Sequence, residues 1–154
     1  MLELYKPALD DLWFRQNILS DDDTMAYNHA YGGTIDFSKD KWEKWYDFWI
    51  VNNESKRFYR YLKKGPVFLG EASYHYDEDR EIYMADILIF SPYRKKGFGL
   101  EGLKLLCAEA ESNGIKELYD SIAVDNPSVD MFLKSGFTEE YRNDKVIMLK
   151  KVFS

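Results

Sequence analysis

The chain has 154 residues, about the length of one average domain, and a formal net charge of −6 at pH 7. With 45% hydrophobic and 17% aromatic residues, it can build a buried core, which argues against an intrinsically disordered protein. The acidic balance argues against a protein whose main partner is the phosphate backbone of a nucleic acid. The single cysteine, Cys107, can neither close a disulfide within the chain nor complete a structural zinc site, so we expect no bound metal.

The amino-terminal residues lack the basic region and apolar stretch of a secretory signal. No run approaches the roughly 18 apolar residues that a membrane span needs. We therefore expect a cytoplasmic protein with no membrane partner, built as one domain over residues 1–154 and acting as a monomer or homodimer.

The amino-terminal half of the chain changes from helical to alternating periodicity near Lys56. It predicts, in chain order, a strand over 2–9, a helix over 12–19, a helix over 38–51 and strands over 56–62, 67–76 and 82–90. The second helix carries Trp42, Trp45 and Trp49 on one face, so we expect these rings mainly in the core. Three consecutive strands joined by short turns predict an antiparallel meander.

The carboxyl-terminal half alternates helices with strands. Leucines at helical spacing predict a helix over 100–113 that ends at Gly114, and Asn126 followed by Pro127 predicts a helix that ends at Gly136. The remaining segments predict strands over 118–124, 137–141 and 145–153. This order predicts an α/β (α+β) fold with a central mixed, mostly antiparallel sheet of about seven strands flanked by about four helices.

The most informative segment is the loop that joins the 82–90 strand to the next helix. Arg94, Lys95 and Lys96 supply three consecutive cations, and Gly97 and Gly99 let the backbone approach a ligand closely. The unpaired amides and the dipole of the helix that follows add positive potential at the same place. The loop therefore predicts a pyrophosphate site.

Residues 97–102 also fit the dinucleotide fingerprint G-x-G-x-x-G, and Asp120 lies near the position expected of its acidic ribose partner. The context argues against a nicotinamide site. Six polar or turn residues separate the strand from Gly97, and too few residues follow for a doubly wound sheet.

The run Arg94-Lys95-Lys96-Gly97-Phe98-Gly99 resembles the R/Q-x-x-G-x-G/A signature of the GNAT superfamily of N-acetyltransferases, which bind acetyl-CoA. The resemblance covers essentially the whole chain in element order and includes the closing Gly136-Phe137 pair. It implies a GNAT-like fold and a loop that holds the coenzyme A pyrophosphate. The residues that it assigns to this loop are Arg94, Lys95, Lys96, Gly97, Phe98, Gly99 and, at the helix start, Leu100.

Further cofactor contacts follow from the same resemblance. It implies that the strand before the loop splays from its neighbour and pairs its backbone at Leu88, Ile89 and Phe90 with the pantetheine arm. Asn126 resembles the polar residue that reaches the cofactor from the opposite side, but it is equally well explained as a helix cap.

The resemblance implies direct attack of an amine on the thioester, so a group must accept the proton of the amine. Asp86 and Glu71, acidic residues on neighbouring strands, are the candidate bases, because a carboxylate on an apolar strand needs a partner or a function. A salt bridge or a solvent-facing position remains the alternative for each. Asp120 is a further candidate, whereas His29 and His75 fit surface or hydrogen-bonded positions better.

Phe132 departs from the family pattern. Many members place a tyrosine four residues before the closing Gly-Phe, where it protonates the departing sulfur, and Phe132 has no proton to offer. The acid is then another tyrosine, a water molecule or absent. This departure keeps a second function open: a catalytically weak or inactive sensor or regulatory module that binds acyl-CoA.

The resemblance places the acceptor pocket at the first two helices and their connection. That region holds the acidic triplet Asp21-Asp22-Asp23 and several aromatic residues. Acidic and aromatic side chains suit a cationic amine through charge attraction and cation–π contact. The expected acceptor is therefore a primary amine of a small molecule or peptide, with a cationic one favoured.

Overall fold

The computed structural model describes residues 1–52 and 55–153. Within these ranges seven strands form one sheet in the order β1-β2-β3-β4-β5-β7-β6. The strands are β1 (Leu2–Tyr5), β2 (Arg57–Lys64), β3 (Val67–Asp77), β4 (Ile82–Ile89), β5 (Glu117–Ala123), β6 (Thr138–Arg142) and β7 (Val146–Val152). The α-helices are α1 (Leu12–Ser20), α2 (Trp42–Tyr46), α3 (Phe98–Ser112) and α4 (Val129–Lys134). The predicted mixed, mostly antiparallel fold is confirmed.

The helical segments differ from prediction in three places. The predicted 38–51 helix is α2 preceded by a 3-10 turn and followed by a π-helix over Asp47–Val51. A 3-10 helix over Thr24–Tyr31 was not predicted, because it shows no apolar period in the sequence. The last helix begins at Val129 after the N-cap Ser128, and not at Pro127 after the predicted N-cap Asn126. Residues 126–128 form a turn in which the side chain of Asn126 accepts a hydrogen bond from the amide of Ser128.

The sheet separates two apolar clusters. On one face, called here the α3 face, Phe58, Ala85 and Leu118 pack with residues of α3 and α4. On the other, called the α1 face, Tyr59, Tyr61 and Leu88 pack with residues of α1 and α2. Because strand residues alternate between faces, each side chain of β3, β4 and β5 belongs to one of these two sides.

Strands β4 and β5 run parallel and share the register pair Met84–Tyr119. Beyond that pair they separate toward their carboxyl ends, whereas β4 stays paired with β3 as far as Ile89. We call the resulting opening, between residues 85–89 of β4 and 120–123 of β5, the splay. Such an opening leaves an edge of β4 without a strand partner in the middle of the sheet.

No helix in residues 1–52 or 55–153 has the length and apolar character to cross a membrane.

Candidate active site

The amino terminus of α3 presents four consecutive free amides. Gly97 precedes the helix in a left-handed conformation with φ of 84°, which an L side chain rarely adopts. In the described part of the chain, the backbone N–H groups from Gly97 to Leu100 find no acceptor. Aligned amides and the helix dipole make this end a binding site for an anion.

The three cations of the preceding loop have different surroundings. Arg94 donates from Nη2 to the carbonyl of Thr24 at 2.8 Å, from Nη1 to that of Asp23 at 3.1 Å and from Nε to that of Ile89 at 3.2 Å. Arg94 therefore ties the loop to the Thr24–Tyr31 helix, so its guanidinium is committed to the protein. Lys95 and Lys96 are exposed and, among the described residues, form no ion pair.

The free edge of β4 lies directly beside this helix end. The amide of Phe90 donates to the carbonyl of Leu69 at 2.9 Å, so Phe90 belongs to the ladder with β3. Backbone groups alternate along an antiparallel ladder, and this places Leu88 with β3 as well. The backbone groups of Ile89 and Ile87 therefore point into the splay. The predicted contacts of the cofactor arm were Leu88, Ile89 and Phe90. The backbone of Ile89 points into the splay as predicted, whereas the backbones of Leu88 and Phe90 point toward β3. Ile87 was not predicted and also points into the splay.

Asn126 lies after β5, across the splay from the loop. Its Oδ1 accepts the amide of Ser128 at 2.9 Å within the turn before α4, and the N-cap of that helix is Ser128, so Asn126 does not cap the helix as predicted.

Glu71 of β3 is buried on the α1 face and already has two partners. Its Oε2 accepts Arg15 Nη1 at 2.6 Å and also accepts the hydroxyl of Tyr59. Burial and the negative charge of Glu71 raise the pKa of Tyr59 well above its usual value, so the hydroxyl stays protonated and donates. The carboxylate of Glu71 is thus committed to a buried ion pair.

Arg15 completes this network from α1. Its guanidinium lies 4.4 Å from the ring centre of Trp45 and 5.1 Å from that of Phe37. Trp45, predicted as core, is therefore also the wall against which this cation stacks.

Asp86 of β4 is the neighbouring carboxylate on the α1 face, and its side chain is open to water in the splay. In the described residues no side chain donates to it. Crowding by surrounding protein, and secondly the charge of Glu71, raise the pKa of Asp86 to about 6. Because water still reaches the carboxyl, we expect the full shift only when a ligand covers the splay.

Tyr27 of the 3-10 helix over Thr24–Tyr31 lies over the same side of the splay. Its ring is half exposed, and partial burial followed by the charges of Asp86 and Glu71 raises its pKa to about 12. The helix that carries it is held by Asp21, whose Oδ2 accepts Thr24 Oγ1 at 2.5 Å and Ser91 Oγ at 2.8 Å. These bonds lower the pKa of Asp21 and commit this member of the acidic triplet to the protein.

The fold brings the predicted loop, the free edge of β4 and Asp86 together around the splay. Asp120 lies at its narrow end, on β5. Tyr27 belongs to the aromatic residues of the region predicted for the acceptor, whereas Arg15 was missed, because nothing local distinguishes a helix arginine from a surface residue.

A GNAT acetyltransferase domain model matches residues 1–138. Among curated proteins, none matches the chain well enough to count as a relative. Solved structures share the fold at low identity. Spermidine N-acetyltransferase from Vibrio cholerae, in complex with CoA and spermine, has a TM-score of 0.78 and 19% identity, over 98% of this chain and 95% of that one.

Two further structures have the same fold. The ribosomal L7/L12 α-N-protein acetyltransferase RimL, in complex with coenzyme A, has a TM-score of 0.78 and 14% identity, over 98% of this chain and 93% of that one. The Salmonella typhimurium protein yncA, with its cofactor acetyl-CoA, has a TM-score of 0.74 and 18% identity, over 99% and 94%. With the domain match over most of its length, the chain belongs to the GNAT family of acetyltransferases.

Proposed function

We propose that the protein transfers the acetyl group of acetyl-CoA to a primary amine of a cationic small molecule or peptide, as one acetyltransferase domain over residues 1–154. The observation that carries this proposal is the row of four free amides at the start of α3, beside an edge of β4 that no strand among the described residues covers. An anion and an extended polar chain, joined in one molecule, satisfy both features.

The residues at this site fit coenzyme A. The amides from Gly97 to Leu100 would hold the pyrophosphate, with Lys95 and Lys96 adding charge at the rim. The amide of Ile89 and the carbonyl of Ile87 would pair with the pantetheine arm, because the carbonyl of Ile89 already accepts Arg94 Nε. Bound acetyl-CoA would supply the thioester whose carbonyl carbon the amine attacks.

We assign the base to Asp86 rather than to Glu71. Asp86 is solvent-accessible and has no side-chain partner among the described residues, whereas Glu71 is buried with Arg15 and Tyr59. A pKa of about 6 leaves Asp86 mostly ionised at neutral pH yet basic enough to take a proton. The amide of Ile87 would stabilise the negative oxygen, because the amide of Phe90 is occupied by Leu69 and that of Ile89 would pair with the arm.

The first test is binding at the start of α3. Gly97→Glu puts a carboxylate among the free amides and forces a left-handed position, so we expect affinity for CoA to fall by about 100-fold or more. Gly114→Glu is the matched control, because Gly114 has φ of 85° and is exposed at the other end of the same helix. Calorimetric titration with CoA measures both variants, and equal affinity in the two would remove the pyrophosphate assignment.

The second test concerns the acceptor. The unpaired carboxylate of Asp86 and the half-exposed ring of Tyr27 favour a cation, and spermine accompanies the Vibrio cholerae enzyme of the same fold. We expect acetyl transfer to polyamines and to basic peptides, measured as release of free CoA thiol over a panel of amines. Turnover confined to neutral or anionic acceptors would contradict the cationic preference. CoA binding without release in any amine would instead support the sensor that Phe132 leaves open.

A further inference from the structure

β5 places a second carboxylate at the narrow end of the splay, on the opposite side of the sheet from Asp86. Leu118 and Ile122 of β5 lie in the cluster beneath α3, and the unbroken register with β7 puts Asp120 between them on that face. Asp86 shares the α1 face with Leu88. The two carboxylates therefore flank one opening from its two sides.

The surroundings of Asp120 are mainly apolar. Its register neighbour on β7 is Leu149, and across the splay the α3 face of β4 carries Ala85. Within the described residues, Asp120 has the amide of Ser121 as its hydrogen-bonding partner and no side-chain donor. Burial, and secondly the charge of Asp86, raise the pKa of Asp120 well above its usual value.

Cys107 and Lys151, titratable groups on the α3 face, do not cancel the rise in the pKa of Asp120. Burial raises the pKa of the Cys107 thiol of α3 to about 11, so it stays neutral. Lys151 of β7 donates from Nζ to the carbonyl of Ser135 at 2.5 Å. On α4, Phe132 is buried in the same cluster and carries no exchangeable proton. Asp120 thus offers a proton to the splay from the α3 face.

We propose that Asp120 is the general acid that protonates the sulfur of coenzyme A as it leaves, in the acetyltransferase of the proposed function. The amine attacks in its neutral form, after its ammonium proton has passed to water, and Asp86 takes a further proton from the nitrogen as the lone pair forms the new C–N bond. Asp120 gives its proton to the sulfur, which keeps the electron pair of the breaking C–S bond. The products are the amide and the free thiol, and the proton on Asp86 must pass to Asp120 before the next turnover.

The different roles of Asp86 as base and Asp120 as acid follow from their positions on opposite faces of the sheet. The free amides at the start of α3 lie on the α3 face, so the donor would approach the narrow end from the side of Asp120. Tyr27 and Asp86 lie on the α1 face, so the acceptor would approach from the other side. Two carboxylates that repel each other bind the first proton more tightly than the second, so the pair favours a state that holds one proton.

The decisive test compares two leaving groups. A selenol leaves far more readily than a thiol without protonation, so the selenium analogue of acetyl-CoA needs no acid. With the panel amine that the wild type turns over fastest, Asp120→Asn should lower kcat by about 100-fold with acetyl-CoA and by less than about threefold with the selenoester. A purely structural role would lower both rates equally, and that result would overturn the proposal. Asp79→Asn, in the exposed turn between β3 and β4, is the control for charge removal.

A second readout needs no turnover. In protein labelled with ¹³C-aspartate and free of ligand, we expect one carboxyl signal that titrates far above the usual range, and it should disappear in Asp120→Asn. Asp86→Asn should lower the pKa of that signal, because the charge of Asp86 helps to raise it. A raised pKa means that ionised Asp120 costs stability, so Asp120→Asn should melt higher than wild type at pH 8 and lose that advantage as the pH falls toward 4.

The outcomes separate this inference from the proposed function. If the wild type transfers acetyl groups and Asp120→Asn does so at an equal rate with acetyl-CoA, the acid assignment fails and the function stands. If the wild type releases no thiol with any amine, the proposed function itself fails. An Asp120 signal that titrates at its usual value would also overturn the acid assignment.

Discussion

Replacing Asp86 by Asn is expected to lower kcat for acetyl transfer by about 10²–10⁴-fold, because the amide cannot accept the proton of the amine. Binding of CoA should be nearly unchanged, since the pyrophosphate and the arm contact other groups. In the wild type, kcat should rise with pH through about 6, because the base acts only when it is ionised. In Asp86→Asn this rise should be absent.

The position of Asp86 in the splay also predicts how the acceptor changes the dependence of kcat on pH. Removal from water is the main cause of the raised pKa of Asp86, so a bulky acceptor that covers the splay should move the rise in kcat to higher pH. A cationic acceptor opposes that shift by stabilising the carboxylate. Asp79→Asn is the control for removal of one negative charge. A pH rise that persists in Asp86→Asn would assign the base to another group.

The sequence predicts the local part of the fold well, because alternation and helical spacing are properties of neighbouring residues. The meander of β2, β3 and β4 follows from three runs with short turns between them. The splay depends instead on where β5 stops pairing with β4, and one register pair decides it. That contact joins residues 35 positions apart, so no local pattern encodes it.

The candidate site also has a part that the sequence predicts and a part that depends on distant contacts. The amides at the start of α3 were predictable, since glycines before a helix have one physical meaning. The role of Arg94 was not predictable, because the carbonyls that accept its hydrogen bonds belong to Asp23 and Thr24, which lie far from it in the sequence. Which backbone groups of β4 face the splay depends on the alternation of its ladder with β3, and the sequence does not specify that register.

The buried pair of Glu71 and Arg15 gives the largest expected effect on stability. Glu71→Gln leaves the guanidinium buried without its counter-ion, so we expect the free energy of unfolding to fall by about 3 kcal/mol in urea titrations. Arg15→Met keeps the packing against Trp45 and should cost a similar amount, because it strands the carboxylate. The double variant should cost clearly less than the two single losses together, since it strands neither charge. Additive losses would show that the pair does not act as a unit.

The kinetics of these two variants test whether Glu71 positions charge or performs the chemistry. The negative charge of Glu71 raises the pKa of Asp86 and the positive charge of Arg15 lowers it. With Asp86 as the base, Glu71→Gln should move the rise of kcat to lower pH, and Arg15→Met should move it to higher pH. Both variants should keep that rise, because Asp86 remains in place. If Glu71→Gln abolishes the rise and Asp86→Asn retains it, the roles of the two carboxylates are reversed: Glu71 takes the proton, and the ion pair with Arg15 must open during turnover.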